Sequence, residues 1–158
     1  MTAKEYLKQI EKWQRKIDSI QTQSNGKIKR LIMTLDELYS QAYELKAIDY
    51  NKDLVQVSPK NTLEELVILI NEVSEDLAKA IYEAKTKTAA EVRELEDKIR
   101  HVIEQIDELN DSRYCTLLKL RYVEGKRFEE IACIMEYAYR HTTRLHGEAL
   151  QAFKENMS

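Results

Sequence analysis

Arg140 and Arg144 stand one helical turn apart in the run Tyr139-Arg140-His141-Thr142-Thr143-Arg144. A guanidinium presents a planar fork of donors that fits the O6/N7 edge of guanine or grips a phosphate. Tyr139, His141 and Thr143 add groups that donate to phosphate oxygens or touch a thymine methyl. Lys126 and Arg127 precede them in the chain and are suited to phosphate contact that weakens as salt rises. A single surface cation is most often only solvated. It is the grouping on one short stretch that points to double-stranded DNA.

Other combinations offer less. Cys115, Cys133, His141 and His146 are all conceivable zinc ligands, but there is no close cysteine pair. A step of five residues sets the two histidines about 140° apart around a helix. No metal and no cofactor is expected, and Cys133 fits a small core residue. The chain shows no glycine-rich phosphate loop, no Ser/His/Asp set and no convincing carboxylate pair, so an enzyme is not expected.

The elements that must position the basic run can be read from its surroundings. Asn110-Asp111-Ser112 supplies N-cap chemistry for a helix whose apolar face includes Tyr114, Leu117, Leu118 and Tyr122, and Gly125 ends it. Phe128, Ile131, Ala132 and Met135 give the next, short helix a buried side. Glu136-Tyr137 forms a turn, and Thr142, Leu145, Ala149 and Leu150 fasten the last helix to the core. This order of helix, glycine break, short helix, turn and basic helix is that of a helix-turn-helix domain, expected over 111–158. Arg113, Lys119 and Arg121 are open between phosphate contact and simple solvation.

Residues 1–110 read as a long helical hairpin, with helices at about 3–48 and 62–109. The first carries Tyr6, Ile10, Trp13, Ile17 and Ile20, then Ile28, Leu31, Leu35, Leu38, Ala42 and Leu45, in steps of three and four. Ser24-Asn25-Gly26 interrupts that seam and predicts a kink or break. Thr2 with Glu5, and Thr62 with Glu65, form capping-box patterns. Asp49 to Lys60, containing Ser58-Pro59, reads as the connection. The second seam is weakest from Ala84 to Ala90, where residues are small. The fold class is therefore all-α: a long antiparallel coiled-coil hairpin followed by a C-terminal helix-turn-helix. One apolar stripe per helix is thin support for so long an object, which predicts a homodimer through the N-terminal helices.

Composition agrees. Only three Gly and one Pro occur in 158 residues, and 34% are charged, which favours long helices. The net charge of −3 divides into −5 over residues 1–111 and +2 over 112–158. The chain shows neither an apolar leader nor a span, and its two cysteines are not in a Cys-x-x-Cys pair, so a cytoplasmic protein without membrane contact is expected.

Residues Tyr114 to Phe153 resemble region 4 of the sigma-70 family, which reads the −35 promoter element. Arg140 to Leu150, the opening Thr2-Ala3-Lys4-Glu5-Tyr6-Leu7 and the loop Val55-Gln56-Val57-Ser58-Pro59 are similar to a family of small phage and prophage proteins. That family, long labelled a domain of unknown function, is regarded as including late-gene transcription regulators. The resemblance implies promoter-proximal DNA binding, with RNA polymerase as a further partner. Three positions depart from the pattern: Arg127 replaces the usual Ser or Thr cap, Glu136 the usual turn Gly, and Ala138 the usual Ser cap. Each departure costs about 1 kcal/mol. Sigma region 2, which melts DNA, is missing. Two other readings fit the same layout. One is a small terminase subunit that assembles into rings for DNA packaging. The other is a protein-interaction module built on a degenerate helix-turn-helix.

Overall fold

The computed structural model describes residues 2–48 and 62–157, and among them the secondary structure is entirely helical. Helix α1 spans Ala3–Ile48, α2 Leu63–Glu83, α3 Ala89–Asp107, α4 Ser112–Tyr122, α5 Phe128–Ile134 and α6 Tyr139–Asn156. A π-helical turn, Ala84–Thr88, joins α2 to α3. The expected connection, with Ser58-Pro59 and the Val55–Pro59 motif, lies outside the described residues. No described helix is long and apolar enough to cross a membrane.

Both capping boxes form. The Thr2 Oγ1 accepts from the Glu5 amide at 3.2 Å, and the Glu5 carboxylate accepts from the Thr2 amide at 2.8 Å. Thr62 and Glu65 repeat the arrangement at 3.3 and 2.7 Å. The helix runs unbroken through Ser24-Asn25-Gly26, contrary to the expected kink. A single interior Gly costs only about 1 kcal/mol relative to Ala, which so long a helix tolerates. The weak part of the second seam does depart from α geometry. A π turn inserts one extra residue into the helix, and it falls where Ala84, Thr86, Thr88 and Ala89 offer little side-chain resistance. Thr86 helps by donating to the Tyr82 carbonyl at 2.8 Å.

The chain separates into two compact units, Met1–Ser19 with Glu91–Ser158, and Ile20–Ala90. In the first unit, Leu7 and Ile10 of α1 join Val102 and Ile106 of α3, Leu117 and Leu118 of α4, Ile131 of α5, and Leu145, Ala149 and Phe153 of α6 in one core. Burial of each such side chain is worth roughly 1.5–3 kcal/mol. Leu7 is as fully buried as Ile10 although it lies off the heptad seam. Within this unit the Tyr6 hydroxyl also bonds the Gln105 side chain at 3.1 Å. In the second unit Leu66, Ile70 and Ala80 are the buried apolar residues, and Lys27 pairs with Glu83 at 3.5 Å.

One cysteine departs from its expected place. Cys133 is exposed, not a core residue. Cys115 is half-buried, with Sγ 3.2 Å from the Ile106 carbonyl oxygen, and burial pushes its thiol pKa up.

Candidate nucleic-acid interface on α6

Three local decisions set the pose of α6. Asp111 caps α4, its carboxylate accepting from the Arg113 amide at 2.9 Å and from the Arg113 side chain. Gly125, at φ +68°, lets the chain leave α4 in a left-handed conformation that suits glycine. The Arg121 guanidinium then lies over the Phe128 ring, 4.9 Å from its centre, and donates to the Lys126 carbonyl at 2.7 Å. Arg121 thus fixes the entry into α5 and is not a free cation.

The exit from α5 is a Schellman turn. The Tyr137 amide donates to the Ala132 carbonyl at 2.9 Å and the Glu136 amide to Cys133 at 3.3 Å. Its left-handed residue is Glu136, at φ 57°, so the expected glycine position carries a strained non-glycine residue. Caps at both helix starts are incomplete. Arg127 offers no acceptor to α5, although its own amide is held by the Glu130 carboxylate at 2.7 Å. Ala138 gives the first turn of α6 no side-chain acceptor.

Burial then sorts α6 into two faces. Thr142, Leu145, His146, Ala149 and Phe153 face the core. The His146 Nε2 lies 3.1 Å from the Tyr122 hydroxyl, and the Phe128 ring meets the imidazole edge-on at 5.0 Å. Removal from water, assisted by the Lys4 and Arg121 cations, pulls the His146 pKa down to about 4, so the ring is neutral at pH 7. This internal role for His146 was not apparent in the sequence.

On the other face, Tyr139, Arg140, Thr143 and Arg144 are exposed, and His141 is half-buried with its ring edge-on to Tyr137 at 4.9 Å. These five, with Ala138, line an open hollow of about 830 Å³. The Arg144 side chain reaches His141 Nδ1 at 3.3 Å and Glu148 at 3.5 Å, yet stays 71% exposed. Thr143 donates its hydroxyl to the Tyr139 carbonyl at 3.0 Å. Lys126 is half-buried in the α4–α5 connection and Arg127 is exposed, and neither lines the hollow. Arg113 and Lys119, left open by the sequence, are held by Asp111 and Asp107 at 2.6 and 2.5 Å.

No protein-family model, curated protein or solved structure matches this chain.

A second hollow, of about 660 Å³, lies beside the first and is lined by Glu129, Ala132, Cys133, Glu136, Tyr137 and Tyr139. Glu129, Ala132, Cys133 and Glu136 follow the i, i+3, i+4, i+7 spacing of one helix face. That spacing is present in the sequence, where a cysteine among apolar residues reads as core. The two hollows share Tyr139 but differ in charge, since the first has two arginines and the second two glutamates. Among the described residues, no three His, Cys, Asp or Glu side chains come together as a metal site.

Proposed function

We propose that α5, its Schellman turn and α6 act as a sigma region 4-like helix-turn-helix, and that the chain is a phage- or prophage-type transcriptional regulator of double-stranded DNA in the cytoplasm. The observation that carries this reading is the sorting of α6: Arg140 and Arg144 lie exposed in one hollow while Thr142, Leu145 and Ala149 are buried beneath them. A helix held in this way presents its first two turns to a major groove. The two guanidinium groups are the candidates for guanine edges. Tyr139, His141 and Thr143 suit phosphate or methyl contact, and Lys126 and Arg127 suit flanking phosphates. The uncapped first-turn amides of α6 also favour an anion.

The N-terminal helices serve, on this reading, as an antiparallel hairpin that joins two copies or meets RNA polymerase. Within residues 20–90, the Lys27–Glu83 contact at 3.5 Å supports the hairpin. Two copies would address half-sites about 34 Å apart along the duplex.

The test is selection of duplexes from a random pool by the full chain, followed by Arg140→Ala with Arg144→Ala. The double variant is expected to lose about 100-fold in affinity for the selected site, at 1–3 kcal/mol per bidentate contact, with helicity unchanged. Retained affinity would remove α6 from the interface. The acidic, apolar hollow beside α6 supports one second reading, a site for a basic protein segment. Failure to select any duplex whose binding falls with salt would favour that reading over DNA.

A further inference from the structure

The two arginines of the α6 hollow are held differently. The Arg144 guanidinium lies between two supports: its Nη2 is 3.3 Å from His141 Nδ1, and its Nε is 3.5 Å from Glu148 Oε1. Each support is fixed in turn by a tyrosine packed against the core. The Tyr137 ring meets His141 edge-on at 4.9 Å, and the Tyr114 hydroxyl donates to Glu148 Oε2 at 3.5 Å. Tyr114 belongs to α4 and Tyr137 to the turn before α6, so neighbouring elements set both supports. Nη1 of Arg144 has no partner among the described residues. The Arg140 guanidinium, one turn earlier, has no hydrogen-bond or ion-pair partner among them at all.

We infer that Arg144 is the residue of α6 that reads a guanine, with His141 and Glu148 as its positioning residues, and that Arg140 grips phosphate without regard to sequence. The inference rests on the DNA reading above and divides the work of its two arginines. Guanine is recognised by two parallel N–H bonds to O6 and N7, so the fork must arrive at one angle. With Nε turned to Glu148 and one Nη2 hydrogen to His141, the Nη1–Nη2 end of the fork is left for the base. A side chain ordered beforehand avoids the roughly 2- to 13-fold loss of affinity that immobilising a long side chain costs on binding. Glu148 also offsets the Arg144 charge, so this side chain adds little general attraction for DNA and contributes chiefly to discrimination. A phosphate presents several acceptor oxygens and carries no sequence information, so an unheld arginine can meet it in many poses. Arg140 stands in the first turn of α6, whose amides lack a side-chain cap and favour the same anion.

The test measures the affinity of the full chain for a duplex selected from a random pool and for every single-base-pair change in it. Arg144→Ala is expected to flatten the preference for one guanine from about 10- to 100-fold to within about twofold. Arg140→Ala is expected to weaken all duplexes alike, lowering the salt slope by about 1 and keeping every base preference. Glu148→Gln is expected to reduce the preference at the same guanine about threefold, without weakening binding to unrelated duplexes. In the Arg144→Ala background the same change is expected to do nothing at that base, a coupling that a merely structural role would not give. If either arginine variant binds less tightly, α6 stays on the DNA. In that case a base preference lost in Arg140→Ala, or one unchanged in Arg144→Ala or in Glu148→Gln, overturns the division alone. Unchanged affinity in both arginine variants, or failure to select any duplex, rejects the DNA reading and the division together.

Discussion

The two compact units solve the burial problem differently. In residues 1–19 with 91–158, helices meet from several directions, and Leu7, Ile10, Ile106, Leu117, Leu118, Ile131 and Phe153 are wholly removed from solvent. In residues 20–90, Leu66, Ile70 and Ala80 are buried, while Ile32, Met33, Tyr39, Tyr43, Val67 and Tyr82 remain exposed. A stripe that meets one partner helix is shielded on one side. A stripe capped by three crossing helices is shielded all round. The first unit therefore holds α6 firmly against a closed core, and the second leaves more of its apolar surface exposed.

Core truncation should separate the units most sharply. Phe153→Ala is expected to destabilise the first unit by about 3–5 kcal/mol. Tyr43→Ala, at 77% exposure, is expected to change stability by less than about 0.5 kcal/mol in dilute, monomeric protein. Urea unfolding followed by circular dichroism measures both. Similar losses at the two positions would erase the contrast.

Acid should also act on the first unit. His146 is held neutral in the fold, with its pKa at about 4 against about 6.5 when unfolded. The unfolded chain therefore binds the extra proton between these values. The stabilisation is complete above about pH 6.5 and is lost as pH falls towards 4, reaching about 2 kcal/mol by pH 5. His146→Gln cannot titrate there. The gap in unfolding free energy between the two proteins should change by that amount between pH 7 and pH 5, and a gap independent of pH would show that the imidazole is not protected.

The turn allows a smaller gain. Glu136→Gly is expected to stabilise the first unit by about 1 kcal/mol, because glycine accepts φ 57° without strain. Ala138→Ser is expected to add roughly 0.5–1 kcal/mol by capping α6. Neither should alter unfolding of residues 20–90. A loss on either substitution would mean that the turn is held by contacts other than its backbone.

Much of this was legible in the sequence because it depends on near neighbours. The Thr2/Glu5 and Thr62/Glu65 boxes, a cap within Asn110-Asp111-Ser112, the Gly125 break and the strained Glu136 are decided within a few residues, and each formed where expected. The buried side of α6 follows from its helical period. The misses involve distant partners or small energy differences. Leu7 lies off the seam, and the surface that buries it comes from other helices. His146 looked like a stray ligand because Tyr122 and Phe128 reach it only in the fold. Cys133 was assigned inward by residue type, whereas the short α5 turns it to solvent. Gly26 marked a break that the rest of α1 overrides. Of the residues proposed to meet DNA, Tyr139, Arg140, His141, Thr143 and Arg144 line one hollow, while Lys126 and Arg127 stand apart from it.

The most direct measurement is the salt dependence of duplex binding in two charge-matched double variants. Arg140→Ala with Arg144→Ala removes two cations from α6. Lys85→Ala with Lys87→Ala removes two from the π turn of the other unit, where both are exposed. If α6 lies in the groove, the first pair should lose about 100-fold in site affinity, and its salt slope should fall by up to about 2 for contacts made to phosphate. The second pair should behave as the unaltered chain. Equal losses in both pairs, or no loss in the first, would contradict a DNA interface on α6.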